Sequence, residues 1–252
     1  MTSEPSPSES GRLSDLKKLD FQVVFVLLSS IVLFTVFWYF GRRNHYFVAW
    51  HETFKDGSDL EPLYPFFYFV FCSVVLRTVL PMLCIKFVLK KRLADFGFSM
   101  RGASTGGWIY LGLFLAMIPL VIYASTTPAF QNYYPQFKGV IHDGEVRWQH
   151  VLAFELVYGM LFVSGESFWR GFMIFGLEKK FGYYGILIMV IPYVMSHYEK
   201  PFMETMGAIV AGSVLGFLAL KHRNFWLGVL VHWGVAMTMD FMALYQLGIT
   251  IV

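Results

Sequence analysis

Residues 21–41 read FQVVFVLLSSIVLFTVFWYFG, an unbroken apolar run with no charge in it. A helix crosses the hydrocarbon of a bilayer in roughly 20 such residues. Six further stretches have this character, at about 64–89, 107–125, 150–176, 184–199, 204–220 and 225–247. Together they predict an all-α, polytopic membrane helix bundle with about seven transmembrane helices. The chain is 56% hydrophobic and only 15% charged, whereas soluble domains carry about 25% charged residues. That balance argues strongly against a soluble enzyme. The fifth stretch is short and holds Pro192, a residue that kinks or ends a helix. The 126–149 connection is the longest loop and has room for an interfacial helix.

The stretches divide the chain into a polar tail (1–20), two N-terminal spans (21–89) and the remaining membrane domain (90–252). The tail, MTSEPSPSESGRLSD and onward, is Ser/Pro-rich and expected to be disordered. No apolar region follows closely enough to make it a signal peptide. With the N-terminus placed in the cytoplasm, twelve of the twenty lysines and arginines fall on that side and six on the other. Arg77 and Arg170 stay within spans. The positive-inside rule therefore predicts a cytoplasmic N-terminus, with Arg42 and Arg43, just after the first span, as the exception. Cys72 and Cys84 lie in one predicted helix, about 18 Å apart along its axis, too far to bridge.

Ionisable groups inside spans are costly and are site candidates by default. They are unevenly placed here. The first and third spans carry no charge, and the second carries only Arg77. The fourth holds Glu155, Glu166 and Arg170; His197 ends the fifth; Glu204 begins the sixth; His232 and Asp240 lie in the seventh. Glu166 and Arg170 are four apart and share a helix face. Glu155 is eleven residues earlier, close to three whole turns, on the same stripe. His232 and Asp240, eight apart, share a broad face. Carboxylate, guanidinium and imidazole on three helices can assemble a general base, a proton donor and oxyanion donors. Each has a plainer reading: a neutralising pair, a structural histidine, or for Glu204 a cap on the sixth helix. In the sixth span, Gly212 and Gly216 form a GxxxG whose expected role is close helix packing.

Other signatures fail. HETFK at 51 lacks the second histidine of a zinc-protease helix. GASTG at 102–106 follows a basic loop, not a buried strand, so it is no nucleophile elbow. Neither a nucleotide-binding loop nor a nucleic-acid patch is present, and no internal repeat supports an inverted-repeat transporter.

Three ordered motifs, GESFWRG (165–171), YVMSH (193–197) and HWGVA (232–236), give the C-terminal half a resemblance to the CPBP family of CAAX-protease and bacteriocin-processing membrane proteins. The pattern of that family is E-E-x-x-x-R, F-x-x-x-H and H-x-x-x-N/D, each on its own helix. The basic stretch KKRLADFGFS (90–99) also looks like a loop of the family, so the resemblance covers roughly 90–245. The match departs at two important positions. Gly165 stands where the first glutamate is expected, which leaves Glu166 alone. Ala236 replaces the last residue of the third motif, with Asp240 one turn on. Tyr193 for Phe is a milder change.

The resemblance implies an intramembrane endopeptidase that works without a metal. Glu166 would be the general base beside Arg170, His197 would orient water or protonate the leaving amine, and His232 and Asp240 would line the oxyanion side. Glu155 and Glu204 are expected around that site. A zinc triad of Glu166, His197 and His232 is the chemical alternative. An inactive relative acting as a regulator or scaffold, or a transporter, is the functional one. The implied partners are the lipid bilayer and a membrane-associated peptide or protein, a C-terminal segment or a leader, with no nucleic acid. The chain would be an integral multi-pass membrane protein, of the inner membrane if bacterial. Measured along the predicted spans, His197 lies toward the outer face and His232 toward the cytoplasm.

Overall fold

The computed structural model describes residues 19–252, so the tail expected at 1–20 lies outside it apart from Leu19 and Asp20. Asp20 caps the first helix, its Oδ1 accepting from the Gln22 and Val23 amides at 2.9 and 3.3 Å, as an N-cap carboxylate does. Among the described residues, six helices are long and apolar enough to cross a membrane: α1 (Phe21–Phe40), α2 (Glu61–Val88), α3 (Gly107–Ser125), α4 (Trp148–Phe181), α6 (Phe202–His222) and α7 (Trp226–Leu247). The seventh, α5 (Tyr184–Met195), is apolar but only 12 residues long. That is about 18 Å, short of the roughly 30 Å of hydrocarbon. The chain is thus an all-α membrane bundle of six full-length helices and one short one, where the sequence predicts seven spans.

The helix that ends early and the one that runs long both have local causes. A continuing α5 would give the Tyr193 carbonyl to the backbone amide of His197. Instead that carbonyl accepts from the Ser196 hydroxyl (2.6 Å) and the His197 ring (2.9 Å), and the His197 amide turns to Val194. Side chains that compete for backbone groups in this way stop helices. In contrast, α4 passes its predicted end at 176. Glu178, Lys179 and Lys180 are polar but good helix formers, and nothing breaks the chain before Gly182, whose φ is +52°.

The loops sort to two ends of the bundle. At one end lie 41–63, 126–147, 196–201 and the C-terminal residues. Arg42 pairs with Glu199, Arg147 pairs with Asp59, and the Tyr134 hydroxyl donates to Glu204 at 2.9 Å. Also there, β1 (Glu145–Val146) pairs in parallel with β2 (Thr250–Ile251). The expected helix of the longest loop is the six-residue Pro128–Tyr133. At the other end Arg223 pairs with Glu178 at 2.6 Å, and Phe225 packs edge-on against Phe98. The two exceptional cations after α1 are both engaged: Arg42 by Glu199, and Arg43 by the Gln136 side chain at 2.9 Å.

At the centre runs α4, touched by α1, α2, α5, α6 and α7, while α3 packs on the outside of α7. Every residue from Glu166 to Leu177 is buried. Between Ser167 and Ile174 the helix widens, and the Phe175 amide reaches back five residues to the Arg170 carbonyl. Such wide turns cluster at functional sites. Buried hydroxyls fasten α2 to α4: Ser73 to Ser164 at 2.6 Å and Thr78 to Ser167 at 2.8 Å. Pro81 has no amide to give the Arg77 carbonyl four residues back, and the Ser167 hydroxyl lies 3.4 Å from that oxygen. On α6 the GxxxG is a packing face. A Cβ on Gly212 would come within 2.9 Å of the Tyr193 ring, and one on Gly216 within 2.9 Å of Ile186. The short α5 therefore lies close along α6 and carries Tyr193 toward α4.

Candidate active site

Glu166 is the centre of the polar cluster. Its side chain is 1% exposed, and its Oε1 lies 2.9 Å from Arg170 Nη1 and 3.1 Å from His232 Nδ1. The i, i+4 spacing read from the sequence puts Arg170 on the face of Glu166, and α7 brings His232 across. A carboxylate oxygen can only accept, so His232 Nδ1 carries the proton and Nε2 the lone pair. Arg170 is fully buried, with its guanidinium 4.5 Å above the Tyr193 ring. The other carboxylate oxygen, Glu166 Oε2, is buried without a hydrogen-bond partner. It points at the start of α7, where a Cβ on Gly228 would come within 2.9 Å of it. A side chain at 228 would take the space in front of that oxygen. His232 is the open member of the cluster, with a quarter of its side chain exposed.

His197 reaches this group through an aromatic ring. Tyr193 stands 4.7 Å from His197 and 6.4 Å from His232, ring centre to ring centre. The sequence treats Tyr193 as a mild change from Phe; the structure puts its ring under Arg170 and between the two histidines. The His197 Nδ1–H donates to the Tyr193 carbonyl, so its lone pair also sits on Nε2. Burial first, and the Lys200 ammonium second, push the His197 imidazole down to about 2, so it stays neutral.

The remaining sequence-predicted residues go elsewhere. Asp240 is 1% exposed, and its Oδ1 accepts from the Gln136 amide at 2.8 Å. It ties the 126–147 loop to α7, about 12 Å of helix away from His232. Ala236 is buried in an apolar cluster with Phe154 and Val229. Glu155 accepts from the Trp233 indole at 3.4 Å and bears on the rotation of α7. Glu204 lies in the first turn of α6, where a cap is expected, but its carboxylate holds Lys200 (2.6 Å) and the Tyr134 hydroxyl (2.9 Å) rather than backbone amides. The zinc alternative does not fit the side chains present. Glu166, His197 and His232 do not gather, and no group of three His, Cys, Asp or Glu among the described residues could hold a metal ion.

Arg77 received no role from the sequence. It faces α4 at Gly165, where a Cβ would come within 2.9 Å of Arg77 Nη2. The signal was a charge in the middle of a span; its neighbour on another helix was not legible.

Residues 146–238 match the family described as Rce1-like, type II CAAX prenyl endopeptidase. No curated protein and no solved structure matches the chain. The matched stretch holds Glu166, Arg170, His197 and His232 and ends before Asp240. Six membrane-length helices among the described residues make the chain an integral membrane protein, and the stretch that carries the candidate site is similar to a family of CAAX-type membrane peptidases.

Proposed function

We propose that the protein hydrolyses a peptide bond near the C-terminus of a membrane-associated, prenylated polypeptide, with Glu166 as the general base that activates water. The observation that carries this reading is the division of labour within one carboxylate. Oε1 is held by Arg170 and His232, and Oε2 has no partner. A water beside Oε2 would give its proton to that oxygen as its own oxygen attacks the scissile carbonyl carbon. The C–N bond then breaks, and the proton passes from Glu166 to the departing amine. Arg170 fixes the carboxylate in place and balances its charge in a medium of low dielectric, where such balance matters most. His232 orients Oε1 from one side, and a quarter of its side chain remains exposed. Neutral His197 stands at the far side of Tyr193, in reach of the substrate chain rather than of Glu166.

One observation favours a second assignment. His232 is more open than Glu166, and its Nδ1–H already points at the carboxylate, as in an acid–histidine pair. There Nε2 of His232 would take the proton of water, and Glu166 would hold the ring. His232→Gln separates the two. With glutamate as the base, the variant loses roughly 10-fold to 100-fold in kcat/KM; with histidine as the base, it falls by about 10³-fold or more. Cleavage of a farnesylated Cys-Val-Ile-Met peptide by the reconstituted protein is the assay for both. A wild-type protein that binds this peptide without cleaving it would overturn the proposed function.

A further inference from the structure

A second cationic group lies beside the catalytic carboxylate with no anion of its own. Arg77 sits in the middle of α2 and is only 8% exposed. A charged side chain at such a depth is costly to insert, and buried charges are normally paired. Yet among the described residues no carboxylate lies within 4.0 Å of Arg77. Glu166, next to it in space, is already engaged by Arg170 and His232.

The surroundings hold this guanidinium as a receptor is held. Its guanidinium carbon lies 5.3 Å from the centre of the Phe37 ring and 5.5 Å from that of Trp169. Nη1 donates to Ser73 Oγ at 3.3 Å, and Ser73 is locked to Ser164 on α4. Nε has no partner. Nη2 turns to Gly165, the one residue of that turn with no side chain to meet it. Nε and Nη2 form the side-on edge with which arginine takes a carboxylate by two parallel hydrogen bonds. Because Gly165 precedes Glu166 in the chain, an anion on that edge would lie within a few extended residues, at roughly 3.3–3.6 Å each, of a bond attacked at Glu166.

We propose that Arg77 is a carboxylate receptor beside Glu166, and that it takes the C-terminal carboxylate of the peptide substrate. This rests on the peptidase reading above and adds a specificity-determining residue to it. Gly165 is part of the receptor, because a longer residue there would fill the space of the anion.

The test is a binding measurement, so that it does not depend on turnover. Full-length Glu166→Gln protein in lipid nanodiscs is titrated with farnesylated Cys-Val-Ile-Met ending either in a free carboxylate or in a carboxamide. The quenching of Trp169 and the other tryptophans, or calorimetry, gives the affinity. Hydrogen bonds to a charged group predict that the free acid binds about 10-fold to 100-fold more tightly than the amide. In Arg77→Met the two peptides bind alike, at the level of the amide, and Arg77→Lys keeps part of the preference. Gly165→Glu puts an internal carboxylate on Arg77 and removes the preference, whereas Gly165→Gln weakens it less. A carboxamide peptide ending in glutamate distinguishes the source: it binds as weakly as the plain amide if the terminus is read, and as tightly as the acid if any nearby carboxylate serves. Equal binding of acid and amide by the Arg77-containing protein, or a preference that survives Arg77→Met, overturns the proposal. If the acid preference is present but no peptide is cleaved by the wild type, the receptor stands and the peptidase reading falls.

Discussion

Arg170→Met is the sharpest structural perturbation of the site. Both partners of the pair are out of water, Arg170 at 0% and Glu166 at 1% exposure, with 2.9 Å between Nη1 and Oε1. At an effective dielectric of about 20 two unit charges at that distance attract by about 6 kcal/mol. Most of this offsets their desolvation. Removing one partner leaves the other charge buried and uncompensated, which costs about 3–5 kcal/mol. The methionine keeps much of the volume over the Tyr193 ring, so the loss is electrostatic rather than a cavity. Replacing both partners, as Glu166→Leu with Arg170→Met, removes both charges of that pair and is expected to return most of that loss. Unfolding free energies in mixed micelles, for the two single variants and the double, complete the cycle. The reasoning predicts a double variant more stable than Arg170→Met alone, with a coupling of about 2–3 kcal/mol. Additive losses, or an Arg170→Met variant within about 0.5 kcal/mol of wild type, would refute it.

Three other outcomes follow. Gly212→Leu drives a side chain into the Tyr193 ring, now 2.9 Å from the position of a Cβ; overpacking of this kind destabilises by about 1–3 kcal/mol, and cleavage by the folded protein should fall with it. His197 gives a pH signature. Its imidazole is pushed down to about 2 when folded against about 6.5 unfolded, so below pH 6.5 the unfolded chain binds the extra proton. Stability present at neutral pH is then lost as pH falls, by up to about 1.4 kcal/mol per unit. Thermal melts from pH 7 to pH 5 should show this slope, flattened in His197→Gln. Asp240→Leu leaves the Gln136 amide without its acceptor, at a cost of about 1–3 kcal/mol, whereas Asp240→Asn keeps the acceptor and should melt within about 1 kcal/mol of wild type.

The sequence made the spans legible because hydrocarbon demands uncharged length, and composition alone reports that. It also placed Glu166 and Arg170 on one face, since spacing within a helix is fixed by the helix. The reach of α5 was not legible. Its end is set by Ser196 and His197 competing for the Tyr193 carbonyl, while hydropathy continues past the stop. Relations between helices were legible only as motifs. Nothing in a single span says that Tyr193 lies beneath Arg170, that Gly228 clears the space before Glu166, or that Gly165 faces Arg77. Asp240 shows the same limit from the other side. One turn past Ala236 it looked like a substitute on the helix wheel, yet the loop carrying Gln136 holds it at the far end of α7.

The account turns on Glu166 as the group that makes water a nucleophile. The most direct measurement is the single-turnover rate of Glu166→Gln on the farnesylated Cys-Val-Ile-Met peptide, in reconstituted protein that is monodisperse and still binds the peptide. Glutamine keeps the shape of the side chain but cannot take the proton. The account predicts a loss of about 10³-fold or more with binding retained. Cleavage within about 10-fold of wild type would contradict it.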